Sequence, residues 1–130
     1  MKISDAERQV MEALWRGKPL SPEDIVAEVG AANEWAPGTV RSLIHRLLTK
    51  KAIEGGKAKD GYVYRPLVSR EDYVREESQG FLDRMFDGQF APMVAALAQH
   101  RQLTVKDIQK LKALIKDMEK KGGEKGGKDE

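Results

Sequence analysis

The sequence predicts a mainly α-helical fold with one small β-hairpin. Apolar residues recur at helical spacing in six segments, most of which open with a capping residue or a proline. Between the third and fourth segments, Asp60-Gly61 is a dipeptide typical of a tight hairpin turn. Hydrophobic residues make up 40% of the chain and charged residues 34%, a composition that suits a soluble helical protein.

Three short helices are expected in the first fifty residues. A capping box, Ser4 with Glu7, opens the first helix, and a first-turn proline, Pro22 or Pro37, opens each of the next two. Gly30 is expected to end the second helix, because glycine is a poor helix former that often follows the last turn. The predicted ranges are residues 5–16, 22–29 and 37–51.

Two short extended segments, AIEGGKAK and YVYRP, are expected to form the hairpin through a turn at residues 59–61. Gly55 and Gly56 weaken the first strand, which indicates a bulge or a close approach of the backbone to a phosphate. Tyr62 and Tyr64 alternate along the second strand and share a face, so we expect Tyr64 to pack on the core. Helix, helix, helix, strand, turn, strand is the order of a winged helix-turn-helix domain, in which the third helix enters a DNA major groove.

The chain is expected to divide after the hairpin. We predict a winged-helix DNA-binding domain over residues 1–68 and a helical dimerisation domain over residues 69–119. Residues 120–130 contain four glycines and no apolar residue, which predicts a disordered tail. Helices in the second domain are predicted over residues 70–86 and 90–99 and from Thr104 onwards.

Positive charge is concentrated in the middle of the chain. The net charge of the whole chain is +2, but residues 38–66 hold seven basic and two acidic residues, a local charge of +5. The preceding 37 residues carry a net charge of −3, and the residues after 66 are balanced. A local basic block indicates a polyanionic partner such as double-stranded DNA, and the alternative is a solvated surface.

The third predicted helix carries side chains that suit a major groove. Its apolar residues fall on one face, so its polar and basic residues project from the other. Arginine pairs with guanine through two hydrogen bonds, and serine, threonine and histidine bond base edges or phosphates. The alternative is a protein-interaction adaptor whose basic face is only solvated. The predicted base contacts are Thr39, Arg41, Ser42, His45 and Arg46, and the predicted phosphate contacts are Lys50, Lys51, Lys57, Lys59 and Tyr62.

The C-terminal helices are expected to form a homodimer. About sixty residues in three helices bury too little surface for an independent core, so they must pack on the N-terminal domain or on a second copy. Large apolar residues on two faces favour the second copy, and a two-fold dimer would read two half-sites. The predicted dimerisation residues are Phe81, Phe86, Phe90, Leu111, Leu114 and Met118.

An enzyme is not expected. The chain has no cysteine, and its two histidines, His45 and His100, lack the spacing of a metal site, so we predict no metal and no cofactor. Nucleotide-binding loops and nucleophile elbows are also missing from the sequence. No apolar run reaches the roughly 20 residues that span a bilayer, so we predict no membrane partner and a cytoplasmic protein.

Several segments resemble the penicillinase-repressor family of transcriptional regulators. These are ISDAERQVMEALW, PEDIVAEV, TVRSLIHRLLTKKAI, YVYRPLVSREDY and FLDRMFDGQFAPMV, and the resemblance covers residues 3–118. It implies a homodimeric repressor that binds inverted-repeat operators, often of the TACA/TGTA type, in promoters of resistance genes. It also makes Thr39 and Arg41 the leading candidates for base contacts.

The chain departs from the family at three points. Copper-responsive members end in paired cysteines, which this chain lacks, so that route of copper sensing is excluded. Members that a sensor protease inactivates are cut at an Asn-Phe bond, and the matching position reads Ala96-Leu97. Induction by a sensor protease and release by another route therefore both stay open. Gly38 stands where relatives often carry a polar or basic residue, which implies a weaker contact or a different operator preference.

Overall fold

The computed structural model describes residues 1–100 and 102–126, and within them it contains six α-helices and a two-stranded sheet. The predicted fold class is therefore confirmed. The chain divides into two compact units, an N-terminal unit of residues 1–78 and a C-terminal unit of residues 79–130. The elements are α1 (Asp5–Trp15), α2 (Pro22–Asn33), α3 (Pro37–Thr49), β1 (Ile53–Ala58), β2 (Gly61–Pro66), α4 (Arg70–Phe86), α5 (Phe90–His100) and α6 (Val105–Gly126).

Serine caps open the first two helices, and the first of these caps is the one that the sequence predicts. The Ser4 hydroxyl accepts a hydrogen bond from the Glu7 backbone N–H at 3.1 Å, and the Glu7 carboxylate accepts one from the Ser4 N–H at 2.8 Å. The Ser21 hydroxyl accepts from the N–H of Asp24 at 3.0 Å. These bonds satisfy backbone donors that have no partner inside the helix.

α2 is longer than predicted, because Gly30 does not end it. The helix continues through two alanines, which are strong helix formers, to Asn33, and Glu34 then adopts a left-handed φ of 58°. Gly30 is buried, and a Cβ there would lie 3.1 Å from the carbonyl oxygen of Trp35. This glycine therefore permits a close approach of the chain between α2 and α3. The other two predicted ends lie within two residues of Trp15 and Thr49.

The hairpin pairs β1 with β2 in a regular antiparallel register, from Ile53 opposite Pro66 to Ala58 opposite Gly61. The bulge that the sequence allowed at Gly55 and Gly56 is not formed. Backbone hydrogen bonds between Leu20 and Tyr64, at 2.8 and 3.2 Å, attach β2 to the segment before α2. The wing is therefore fixed to the helices by its second strand.

One apolar core holds the N-terminal unit together. The three helices contribute most of it, β1 adds Ile53, and Tyr64 packs against it while partly buried, which confirms the expectation for this tyrosine. Burial of these side chains is the main force that stabilises such a fold. The largest fully buried apolar side chains are Val10, Met11, Leu14, Ile25, Val40, Leu47 and Ile53.

The first turns of α4 pack on α1 within the same unit. The Trp15 indole donates a hydrogen bond to the carbonyl oxygen of Val68 at 2.8 Å, and its ring centroid lies 5.4 Å from that of Tyr73. Arg70 donates from Nε to a carboxylate oxygen of Glu12 at 3.0 Å. The unit boundary falls inside α4 at residues 78 and 79. The functional boundary at residues 68 and 69 stays a prediction.

The C-terminal unit consists of the end of α4 and of α5 and α6. Asp87 and Gly88, with φ values of 52° and 77°, separate α4 from α5, where the sequence predicts a break. α6 continues to Gly126, so residues 120–126 are helical where a disordered tail is predicted. Lysine and glutamate favour helices, and Lys121 pairs with Asp117 one turn earlier at 3.4 Å. Residues 127–130 of the predicted tail lie outside the described residues.

None of the helices in the described ranges is long and apolar enough to cross a membrane.

Candidate nucleic-acid interface

α3 has a buried apolar face on one side and an exposed polar face on the other. Val40, Leu43, Ile44 and Leu47 are buried in the core of the N-terminal unit. Because a helix turns by about 100° per residue, the residues between them project outwards. All five predicted base-contact residues are exposed on this helix: Thr39, Arg41, Ser42, His45 and Arg46.

The exposed face has two different edges. Arg41 and His45 line an open groove of about 320 Å³ whose other wall includes Pro22 of α2 and Tyr64 of β2. Ile44 and Leu48 form its apolar floor. Helical geometry places Thr39 and Arg46 on the opposite edge. The sequence does not reveal Pro22 or Leu48 as part of this surface, because their proximity depends on how α2, α3 and β2 pack.

The N-terminus of α3 lacks a side-chain cap. Ala36 occupies the capping position and makes no side-chain hydrogen bond, whereas serines cap α1 and α2. Pro37 has no backbone N–H, and the Thr39 N–H donates to the Ala36 carbonyl oxygen at 3.0 Å. Gly38 therefore supplies the N–H of this turn that is left for an anion. Gly38 in this turn has open space around its Cβ position. A phosphate could approach this backbone without meeting a side chain.

The two lysines that follow α3 have different surroundings. Lys50 donates from Nζ to a carboxylate oxygen of Glu7 at 2.5 Å and to the carbonyl oxygen of Lys2 at 2.7 Å. Lys51 is exposed, and its left-handed φ of 63° ends the helical path. Both are predicted to bind phosphate, but Lys50 is engaged by these two acceptors, whereas Lys51 makes no ion pair with a described residue.

Glu7 is the residue that sequence reasoning missed. Its spacing from Ser4 indicated a cap, yet its carboxylate is also buried beneath Lys50, with 2% of the side chain exposed. Burial by itself raises the pKa of Glu7, but hydrogen bonds from Lys50 and Ser4 and the charge of Lys50 outweigh it. The pKa of this carboxyl therefore lies below its ordinary value of 4.5, and the pair stays charged.

The hairpin displays the remaining predicted phosphate contacts. Lys57 pairs with Tyr62 in the register, Lys59 lies in the turn, and all three are exposed. The Tyr62 ring packs edge-on against Tyr64, with ring centroids 5.5 Å apart, and 49% of Tyr62 remains accessible. A Cβ at Gly55 would lie 2.5 Å from the Tyr62 hydroxyl, so Gly55 makes room for this ring.

Most positive charges of the surface are not neutralised. In the described part of the chain, Arg65 pairs with Glu54 at 3.8 Å, and Lys50 pairs with Glu7. The other basic side chains between residues 38 and 66 make no ion pair with described residues. These side chains are Arg41, Arg46, Lys51, Lys57 and Lys59.

A second candidate surface lies on the C-terminal unit and is apolar. Phe90 is 66% exposed, and Phe81 packs on Phe86 with ring centroids 6.0 Å apart. α5 contains no buried residue, and its Ala96-Leu97 bond lies inside the helix, with Leu97 exposed. The predicted dimerisation residues are exposed or half-buried within this chain: Phe81, Phe86, Phe90, Leu111, Leu114 and Met118.

The sequence matches a family model described as penicillinase repressor over residues 3–117. The chain is 31% identical to a penicillinase repressor of Staphylococcus aureus, over 93% of this chain and 96% of that protein. It is 30% identical to a methicillin resistance regulatory protein of Staphylococcus aureus, over 88% of this chain and 93% of that protein.

A solved structure also resembles the N-terminal part of the chain. It is the monomeric form of a Bacillus licheniformis repressor in complex with a half-operator. The identity is 30%, the TM-score is 0.51, and the match covers 56% of this chain and 89% of the other. The fold, the exposed face of α3 and the matches over nearly the whole length agree with one another, and the chain belongs to the penicillinase-repressor family.

Proposed function

We propose that this chain is a sequence-specific DNA-binding repressor that acts as a homodimer on an inverted-repeat operator of resistance or stress genes. The observation that carries the proposal is the exposed polar and basic face of α3 beside a basic wing. Membership of the penicillinase-repressor family and the likeness to a repressor in complex with a half-operator support the same function.

In this proposal α3 lies in the major groove and reads bases. Arg41 is the leading candidate, because a guanidinium group can make two hydrogen bonds to one guanine. Thr39 is the second candidate, on the opposite edge of the face, and Ser42, His45 and Arg46 support both. Reading from two edges of one helix would let each half-site specify several base pairs.

Phosphate contacts position the protein on the duplex and supply much of the affinity. We assign them to Lys51, Lys57, Lys59 and Tyr62, and to the uncapped first turn of α3. We leave Lys50 out of this set, because its ammonium group is engaged by Glu7 and by the Lys2 carbonyl.

Dimerisation would provide the second half-site. A monomer rarely exposes a large contiguous apolar surface, and α5 and α6 expose large apolar side chains along their length. A two-fold pairing of these helices would cover that surface and present two copies of α3 to adjacent major grooves. The dimer would obstruct RNA polymerase at a promoter in the cytoplasm, without a catalytic step.

Release from DNA would follow either cleavage of α5 at Ala96-Leu97 by a sensor protease or another route. A sensor protease that cut Ala96-Leu97 would need to open α5 locally, because a protease binds its substrate in an extended form. Cleavage would remove α6 from the paired surface. Incubation of the dimer with a candidate protease, followed by mass spectrometry, tests this route, and an intact α5 would favour another route.

Selection of bound sequences from a random duplex pool at near-physiological salt tests the main proposal. We expect an inverted repeat whose half-sites lie about one helical turn apart. Recovery without any sequence preference, together with elution from heparin at low salt, would favour the protein-interaction adaptor instead.

A further inference from the structure

Glu7 is a buried charge that base reading and phosphate binding do not use. Among the described residues it is the charged side chain in the core, with 2% exposure. A carboxylate is rarely retained at such a position unless it is paired, because removal of a charge from water is costly. The role of Glu7 therefore depends on the groups that its carboxylate contacts.

The partner of Glu7 lies at the end of α3. Lys50 follows α3 directly, and its Nζ lies 2.5 Å from Glu7 Oε1 and 2.7 Å from the Lys2 carbonyl oxygen. Glu7 Oε1 also accepts the Ser4 backbone N–H at 2.8 Å. The lysine side chain retains 36% of its surface exposed, so its ammonium group lies at the rim of the core rather than inside it.

The adjacent lysine provides an internal comparison. Lys51 is exposed and makes no ion pair with a described residue, so it can neutralise a phosphate of any DNA sequence. Lys50 already shares its charge with Glu7, and it could give that charge fully to a phosphate only by leaving Glu7 buried without its counter-charge. Breaking a buried pair costs more than one exposed phosphate contact returns, so Lys50 stays with Glu7 when DNA binds.

We propose that Glu7 withholds Lys50 from the DNA backbone and thereby limits the sequence-independent part of the affinity for DNA. Phosphate contacts strengthen binding to every sequence alike, whereas base contacts strengthen binding only to the operator. One phosphate contact fewer weakens binding to operator and non-matching DNA alike, so base contacts supply a larger share of the operator affinity that remains. This inference rests on the proposed function, because it requires α3 to bind DNA.

The test is the salt dependence of binding to a duplex of scrambled sequence, with the full chain and its Glu7→Gln variant. Neutralising Glu7 releases Lys50 towards the phosphates, and each added contact steepens the slope of log affinity against log salt by about 0.9. Raising the salt concentration from about 50 to about 200 mM should then reduce the affinity of the variant about 3.5 times more than it reduces that of the wild type.

Three further variants separate this effect from general electrostatics. Asp5→Asn removes an exposed acidic charge from the same helix and should leave the slope unchanged. Lys51→Met should reduce the slope by about 0.9, because Lys51 is a phosphate contact in the wild-type protein. Glu7→Gln with Lys50→Met should return to the wild-type slope, since the released lysine is gone.

A measurement on the wild-type protein guards against a variant that does not fold. NMR of the ¹⁵N-labelled lysine ammonium groups should show the Lys50 signal unchanged by the scrambled duplex while the Lys51 signal shifts. A Lys50 signal that shifts with Lys51, or a Glu7→Gln slope equal to wild type, would overturn the inference. A wild-type protein that binds neither operator nor scrambled duplex would instead overturn the proposed function.

Discussion

Arg41 and Lys57 carry the same charge but lie in different parts of the proposed interface. Arg41 projects from α3 beside the groove, and Lys57 lies on β1 of the wing. An arginine that reads guanine discriminates between sequences, whereas a lysine that meets a phosphate does not. The two side chains therefore allow base reading and charge to be measured separately.

Replacing Arg41 by alanine should weaken operator binding by about 1–3 kcal/mol and relax the preference at one base pair. Lys57→Ala should weaken binding to operator and scrambled DNA alike and reduce the salt slope by about 0.9. Equilibrium titrations of both duplexes at several salt concentrations check this prediction. Equal losses on both duplexes for Arg41→Ala would remove Arg41 from the base-reading set.

Gly55 and Gly56 are adjacent in β1 but differ in what a side chain would meet. A Cβ at Gly55 would clash with the Tyr62 ring, while a Cβ at Gly56 would meet nothing within 4 Å. We expect Gly55→Ala to displace the Tyr62 ring and to weaken DNA binding about as much as Tyr62→Ala. Gly56→Ala is the matched control and should bind as wild type. Unchanged affinity for Gly55→Ala would show that the position of the Tyr62 ring does not matter.

At the level of single residues, the sequence pattern predicts which side chains are exposed better than it predicts which side chains contact each other. Helical period alone placed Thr39, Arg41 and His45 on the outer face of α3, because that face follows from the buried residues between them. It could not separate Lys50 from Lys51. That difference depends on Glu7, 43 residues earlier in the chain, and tertiary packing brings the two together.

At the level of elements, the sequence located helix starts more reliably than helix ends. Serine and proline at a start act on their immediate neighbours, so the pattern is local. The end of α2 depends on Gly30, whose missing side chain admits the carbonyl oxygen of Trp35. A glycine that permits close packing and a glycine that ends a helix look alike in a sequence, and only the packing of α2 on α3 distinguishes them.

The pair between α1 and the end of α3 makes the stability of the N-terminal unit depend on pH. The folded-state pKa of Glu7 is lower than its unfolded value, so the pair stabilises the fold above the unfolded pKa. This contribution is lost as the pH falls below about 4.5 and through the folded pKa. Arg70 lowers the pKa of Glu12 in the same way and adds to the effect.

The Glu7→Gln variant should therefore have a lower free energy of unfolding than wild type at pH 7. The difference between the two free energies should become smaller as the pH approaches 3. Urea unfolding followed by circular dichroism at several pH values checks this prediction. The stability of the variant should still fall at low pH, although less than that of wild type, because Glu12 is still protonated there and loses its pair with Arg70. If the free energies of unfolding of the two proteins differed by the same amount at every pH, the charge of Glu7 would not stabilise the fold.

At the level of the whole molecule, the C-terminal unit contrasts with the N-terminal unit. The N-terminal unit has a closed apolar core, whereas α5 and most of α6 show no buried side chain among the described residues. The sequence predicted this unit as dimeric from its small size and its apolar faces, and the exposed side chains support that proposal.

Aspartate at both Leu111 and Leu114 should produce a monomer, because two charges cannot be buried in a paired apolar surface. We expect the variant to sediment at about 14.6 kDa, the mass of one chain, and to bind an isolated half-site as wild type while binding the full operator poorly. Gln109→Asp adds a charge to the opposite face of α6 and should leave the dimer intact. A double variant that still sediments as a dimer would place the interface elsewhere.

The anchoring of Trp15 to Val68 and Tyr73 has a consequence for spectroscopy. The two tryptophans of the chain, Trp15 and Trp35, both belong to the N-terminal unit. Intrinsic fluorescence therefore follows the winged helix alone, and Trp15 emission should change when the start of α4 detaches from α1. Opening of α5 and α6 is silent in that signal but visible in helical ellipticity, so one thermal scan with both probes can resolve the order in which the two units melt.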